Sequence, residues 1–394
     1  MTVFSIFTLV ISLSLSSLIP VHAISNSSIS PNIVSNNIVG NSIVEYENGS
    51  HSYVYLIGGY DGFPSAYNFT NNIYYAPINN KDDTIGSWTT STYSLPVNMA
   101  WESAIIRKIN KVSYIYVFGG EGYSSGYQVY NTVYYTSINS NGSINAWQTN
   151  PNSIPGSGII LTGIQALTIK NGTQYIYIFG GDDCSGCSGI TSSVLYTTIS
   201  SNGTLAPFLS TSSLPVGIFQ PTVVSYTNNN NVTFFYIVGG QIFHPVSPIG
   251  DISNIYYTSV NKDGTLNPWL TSSVNLPTDM CANLDIVQSN TIHSIGGWSY
   301  SAGNGIANDY SININQNGTL TKWTNDLNIL PNSTEPAGII EYTNTDPDYL
   351  FVLGGFNNSL TYSNSASNLI YKAKVNGNKL GVWKQQSQTM PVGP

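Results

Sequence analysis

Positive charge is scarce in this chain. Of its 394 residues 8 % are charged, the net charge is −8, and Arg107 is the sole arginine. A nucleic-acid binder needs a basic footprint to displace counterions, and there is none, so that class is excluded. The same shortage disfavours anionic membrane surfaces. Cysteine is scarcer still, with three residues against eleven lysines and arginines. Cys184 and Cys187 lie in a Cys-Ser-Gly-Cys stretch, and Cys281 stands far away. In an exported chain a local Cys184–Cys187 disulfide is the leading reading. A structural metal site would want four ligands, and only two thiols are near each other. A thioredoxin-type pair would open a helix, and none is signalled here. Cys281 reads as a buried thiol.

Long apolar runs are missing too, apart from Val3 to Leu18 at the start. That run ends in Val21-His22-Ala23, a small-residue cleavage pattern, so residues 1–23 read as a secretory signal peptide without the usual positive n-region. An uncleaved anchor is the alternative. No later segment predicts a membrane span, which leaves the mature chain without an integral membrane domain. A helical 3.6-residue period is absent as well.

What the chain has is a repeat. Gly-Gly pairs after a β-rich run occur at Gly58, Gly119, Gly180, Gly239, Gly296 and Gly354, spaced 61, 61, 59, 57 and 58 residues apart. A Tyr-rich strand follows each pair, as in Ile73-Tyr74-Tyr75 and Val133-Tyr134-Tyr135. Next comes an aromatic (Trp88, Trp147, Phe208, Trp269, Trp323, Trp383). An apolar-Pro pair closes the unit, from Leu95-Pro96 to Met390-Pro391. Four markers in one order, six times, predict an all-β fold: a six-bladed β-propeller with four antiparallel strands, A to D, in each blade. The units run about 41–96, 97–155, 156–215, 216–277, 278–331 and 332–394, with residues 24–40 as a clasp or a free tail. Strand D is expected to hold the Trp, which covers the gap to the next blade. Asn-Gly pairs such as Asn141-Gly142 predict type I′ hairpin turns.

These markers resemble the kelch family: an apolar strand ending in Gly-Gly, then Tyr, Trp and Leu-Pro. The resemblance spans roughly residues 38 to 394 and implies a propeller, but it implies function only weakly. The unit is longer than the roughly 50 residues usual for kelch. The turn before Trp147 also looks partly like the Asp-box turn of sialidases.

Antiparallel alternation places A–B and C–D turns on one face and the longer B–C and D–A loops on the other. Binding residues concentrate on such loops. Candidate ligand contacts are therefore Tyr60, Asp61, Trp101, Glu102, Tyr123, Tyr127, Phe243, Trp298 and Tyr300. Aromatic platforms beside amides and carboxylates suit sugars, so a glycan or an extracellular protein partner is the expected ligand. Sequons at Asn26, Asn48, Asn68, Asn141, Asn171, Asn202, Asn231, Asn317, Asn332 and Asn357 predict glycosylation, six of them at or beside the A–B and C–D turns.

Enzymatic readings fare less well. A sialidase resemblance would imply an arginine cluster, and one arginine cannot form it. A copper-radical oxidase of the galactose-oxidase kind would need two histidines in its site. Beyond the signal the chain offers only His51, His244 and His293, the last in a strand-B position expected to be buried. Glu121, Asp182 and Asp183 are weak candidates for a neutral-sugar hydrolase, lyase or epimerase. No cofactor and no metal site are assigned. The expected function is a secreted or cell-surface binding, adhesion or interaction module. The alternatives are that carbohydrate-active enzyme and a structural subunit of an extracellular assembly.

Overall fold

The computed structural model describes residues 38–49, 51–61, 68–79, 83–123, 126–169, 171–183, 189–242, 250–326, 329–331, 334–335, 338–343, 348–357 and 366–391. Six antiparallel sheets follow one another along the chain, with no helix among the described residues. Blade one has strands A Ser42–Glu47, B Ser52–Ile57, C Ile73–Asn79 and D Thr89–Thr90. Blade two has Ser103–Ile109, Val112–Phe118, Val133–Ile138 and Gln148–Thr149. Blade three has Gly163–Thr168, Gln174–Phe179, Val194–Thr198 and Leu209–Ser210. Blade four has Thr222–Thr227, Thr233–Val238, Ile255–Ser259 and Leu270–Thr271. Blade five has Leu284–Gln288, Thr291–Ile295, Asp309–Asn313 and Thr324–Asn325. Blade six has Gly338–Tyr342, Tyr349–Asn357, Ala366–Asn376 and Lys384–Gln385. Each strand A packs beside the strands A of both neighbours, blade six beside blade one included, so the blades close a ring.

Outside blade five, strand B is hydrophobic along most of its length, as in Tyr-Ile-Tyr-Ile-Phe of blade three, because sheets of the neighbouring blades cover both its sides. Both glycines of every Gly-Gly pair have positive φ. The apolar residue of each apolar-Pro pair is buried, from Leu95 to Met390.

The paired part of strand D is only two residues long, and the aromatic precedes it rather than lying within it. Its indole reaches back, not forward: Trp269 Nε1 donates to Ser212 O in blade three (2.9 Å), and Trp88 Nε1 to Thr389 O in blade six (2.9 Å). The C–D turns also differ from expectation. Only the glycine of Asn141-Gly142, Asn202-Gly203, Asp263-Gly264 and Asn317-Gly318 has positive φ. Gly142 N bonds Asn139 O and Asn139 N bonds Ser143 O, the pattern of a type I turn followed by a left-handed glycine. Asn141 Oδ1 accepts from Ser143 N, which fixes that geometry where a type I′ turn would need positive φ at both central residues.

These glycines also lock the ring. Tyr55, Tyr116, Tyr177 and Tyr236 lie three residues before their Gly-Gly pairs and are fully buried. Each donates its hydroxyl to the turn glycine of the following blade: Gly142 O, Gly203 O, Gly264 O and Gly318 O, at 2.7, 2.7, 2.7 and 2.8 Å. Removing one such hydroxyl leaves a buried carbonyl without its donor. Tyr116→Phe is expected to cost about 1–2 kcal/mol in chemical denaturation, with an unchanged circular dichroism spectrum.

No strand is exchanged at the closure, since all four strands of blade one come from residues 42–90 and all four of blade six from residues 338–385. The seam is sealed by side chains: Gln386 Oε1 accepts from Ile85 N (3.1 Å), and Lys372 Nζ donates to Asp83 O (2.7 Å). Residues 38–40 belong to the ring. Val39 bridges Tyr60, and Ile38 is buried in the core shared by blades one and six. The preceding residues of the expected clasp or tail lie outside the described residues, as does the signal segment.

Candidate functional site

Strands A line a central channel of about 480 Å³. Ser42, Ser103 and Thr222 open their strands and donate to the carbonyls of Glu102, Thr162 and Asn283 in the next blade. One step outward a rim forms from Gly40, Trp101, Leu161, Gln220 and Ala282, all with φ between 50° and 66°. Trp101 N bonds Gly40 O, Leu161 N bonds Trp101 O, and Gln220 N bonds Leu161 O, at 2.7, 3.1 and 2.9 Å. A left-handed non-glycine residue costs of order 1 kcal/mol, and these blade-to-blade bonds offset it.

Hairpins stand around this mouth. The B–C connections pair Tyr60–Asp61 with Asn68–Phe69, Glu121–Tyr123 with Tyr127–Val129, Gln241–Ile242 with Gly250–Asp251, and Trp298–Ser299 with Asn304–Gly305. The sequence candidates divide by exposure. Tyr123 is 67 % exposed, Tyr300 47 % and Tyr127 41 %, while Trp101 and Trp298 are half-buried. Tyr123 and Tyr127 are cross-strand partners on one hairpin. Tyr60 is buried, its ring against Phe69 and edge-on to Trp101. Glu102 is buried in the channel wall, where its Oε1 accepts from Ser42 N (3.1 Å), and burial pushes its pKa up to about 8. Asp61 lies in the first hairpin. Phe243, Cys184 and Cys187 fall outside the described residues; Cys281 is buried as expected.

Glu121 is the centre of a small polar cluster. Tyr60 donates its hydroxyl to Oε1, and Tyr127 donates to Oε2 at 2.6 Å. Burial raises the Glu121 pKa against these two bonds, and the nearby Asp182 adds to the rise. Both oxygens of the carboxylate are thus occupied from within the protein. Asp182 and Asp183 lie half-buried on the next blade, where Asp182 bridges Ile160 and Ile190.

Sequence reasoning missed the supports of the fifth-blade hairpin. Asp251 Oδ2 accepts from Tyr300 N (2.6 Å) and Oδ1 from Gln241 Nε2 (2.8 Å). Burial pushes Asp251 up to about 6, against these bonds and one from Cys281. Asp279 accepts from the hydroxyls of Ser299 (3.1 Å) and Ser301 (2.5 Å). A lone Asp in a loop carries no sequence signal for such a role. The mouth carboxylates do not converge as a ligand set. Among the described residues, the one convergence of three histidine, cysteine or carboxylate groups is His293, Asp309 and Asp326 in blade five.

Of the sequons, Asn141, Asn171, Asn202, Asn231 and Asn317 are exposed on the turn face, with Asn48 half-buried beside its turn. Asn68 is exposed on the loop-face hairpin. Asn357 ends strand B of blade six, and Asn26 and Asn332 lie outside the described residues.

Comparison with protein-family models found no match, and comparison with curated proteins found none. Among solved structures, one titled "Structure of YjhT" is similar with a TM-score of 0.57 at 15 % identity, over 89 % of this chain and 98 % of that one. At that identity the likeness concerns the fold alone, and with the six sheets in a ring it identifies the chain as a six-bladed β-propeller.

Proposed function

We propose that the chain is a secreted or cell-surface, kelch-like binding propeller whose loop face takes an uncharged, hydroxyl-rich ligand, a glycan carried by a surface or partner. The observation that carries this reading is the set of exposed tyrosines, Tyr123, Tyr127 and Tyr300, on hairpins around the channel mouth. An exposed ring covers apolar C–H surface of a sugar, and the hydroxyls of Tyr123 and Tyr300 meet sugar hydroxyls, while Glu121 holds that of Tyr127. The amino-terminal apolar segment supports export, and sequons at the turns would leave the loop face comparatively bare. Peptide mapping of the secreted protein is expected to find occupied sites mainly among Asn141, Asn171, Asn202, Asn231 and Asn317. Glycans mainly on Asn68, Asn332 and Asn357 would contradict that asymmetry.

A glycan array followed by titration calorimetry tests the binding reading. Tyr123→Ala with Tyr300→Ala is expected to weaken binding at least tenfold, about 1.4 kcal/mol, at an unchanged melting temperature. Undiminished binding by that double variant would refute the tyrosine platform. One observation favours a carbohydrate-active enzyme as a second reading: Glu121 is a buried carboxyl of raised pKa next to Asp182. Turnover in a broad glycosidase panel that Glu121→Gln abolishes would place that reading first.

A further inference from the structure

We propose that blade five holds a divalent zinc-type ion between His293 Nδ1, Asp309 and Asp326, at the joint with blade six. The repeat itself marks the site. Three residues before the Gly-Gly pair, blades one to four carry Tyr55, Tyr116, Tyr177 and Tyr236; blade five carries His293. At the start of strand C they carry Ile73, Val133, Val194 and Ile255; blade five carries Asp309. Just after strand D they carry Ser91, Asn150, Thr211 and Ser272; blade five carries Asp326. Three departures separated by 16 and 17 residues of sequence meet at one point, with a donor atom of each within 4.8 Å of the others. Departures from an otherwise consistent local rule are where function is expected.

The hydrogen bonds leave room for a cation. His293 Nε2 lies 3.2 Å from Asn378 O in the following blade, where blades one to four place the tyrosine hydroxyl. A carbonyl only accepts, so Nε2 carries the proton, the usual device that fixes a metal-binding imidazole. Nδ1 then turns toward Asp309 Oδ1 at 3.2 Å and Asp326 Oδ2 at 3.9 Å. Asp309 is fully buried, yet among the described residues its Oδ2 has no hydrogen-bond partner, and neither does Asp326 Oδ2. Leaving the Asp309 oxygen unpaired in the interior is costly, and a cation shared with the partly exposed Asp326 would offset that cost. Ligands about 2.0–2.1 Å from a tetrahedral ion stand about 3.3 Å apart; the His293–Asp309 pair at 3.2 Å already has that spacing, and Asp326 at 3.9 Å must close in by about half an ångström. A neutral imidazole and two carboxylates match the charge of a divalent ion, and this nitrogen and oxygen set suits zinc or a neighbouring first-row metal. A cavity of about 290 Å³, lined by Asp326 and Asn378, gives entry and room for a water as a further ligand. Lys322 and Lys379 also border it, but both are exposed and free to extend into solvent.

The test is a zinc titration of the chelator-stripped mature protein, read by calorimetry, metal analysis and melting temperature, with cobalt as a spectroscopic probe. One ion per chain, a higher melting temperature and a visible cobalt spectrum with nitrogen and oxygen ligands are expected. His293→Tyr restores the residue of blades one to four, so it should fold and lose the ion. Asp326→Asn, at the half-buried edge, should weaken binding at least tenfold. A Cys184→Ser/Cys187→Ser variant should keep the ion. No bound zinc at micromolar concentration, or binding that survives both His293→Tyr and Asp326→Asn, would overturn the proposal. In that case hydrogen bonding between the His293 ring and Asp309 accounts for the contacts.

Discussion

Acidification is expected to stabilise the fold, with a melting temperature at pH 5 well above that at pH 8. Four carboxyls drive this, Glu102 and Asp285 buried and Glu45 and Asp251 half-buried. Burial, with Glu47 and Glu341 nearby, pushes Glu45 up to about 9. Burial pushes Glu102 up to about 8, Asp285 up to about 7 and Asp251 up to about 6, in each case against hydrogen bonds that favour the ionised form. In the unfolded chain these groups titrate near the ordinary values of about 4. Between pH 5 and 8 the native state therefore holds more protons than the unfolded state. Stability is full below the unfolded pKa and is lost as pH rises through each folded value. Each excess proton lowers stability by about 1.4 kcal/mol per pH unit, so the loss across this range amounts to several kcal/mol. Asp279 shifts the other way: burial raises it, but bonds from Ser301, Ser299 and Thr278 outweigh that and hold it below the usual range. Its effect falls below pH 4, outside the window. Glu45→Gln, neutral at every pH, should flatten the slope and stabilise the protein most at pH 8. A melting temperature that is level or rises from pH 5 to pH 8 would contradict the neutral carboxyls.

Gly264→Ala should destabilise the protein by about 3 kcal/mol or more. Gly264 has φ +84°, which alone costs an alanine about 1–2 kcal/mol. A Cβ there would also stand 2.3 Å from the Tyr175 ring, so the ring must shift. Tyr177 donates to the carbonyl of the same glycine, so a shifted turn strains a buried hydrogen bond as well. Gly49→Ala provides the contrast, because its φ of +81° is similar but a Cβ there meets nothing within 4 Å. It should cost only about 1–2 kcal/mol. Equal losses for the two variants in urea denaturation would mean that the strand-B aromatics do not lock the blades.

The blades were legible in the sequence because each marker meets a demand of the backbone. Gly-Gly appears where two successive residues take positive φ and neighbouring chain comes close: a Cβ on Gly119 would lie 2.1 Å from Ile159 O. The apolar-Pro residue appears where the loop re-enters the core. The site was less legible because pairing across blades leaves no local pattern. Tyr60 and Tyr123 look alike in sequence, yet Tyr60 is buried against Glu121 and Tyr123 is open to solvent. Much of the tyrosine content serves the joints between blades, as Tyr55 and Tyr116 show, and not a ligand. Glu45 sits in the strand Ser-Ile-Val-Glu-Tyr-Glu, where nothing marks it off from the exposed Glu47; the acids that press on it, Glu47 and Glu341, come from its own strand and from the far end of the chain.

Hydrogen exchange on the mature protein, with and without the strongest ligand from the glycan array, tests most directly whether the loop face is the working face. Protection is expected at residues 121–129 and 298–305 and at the rim around Trp101. Protection confined to the opposite turns, at residues 139–143, 200–204 and 261–265, would contradict it.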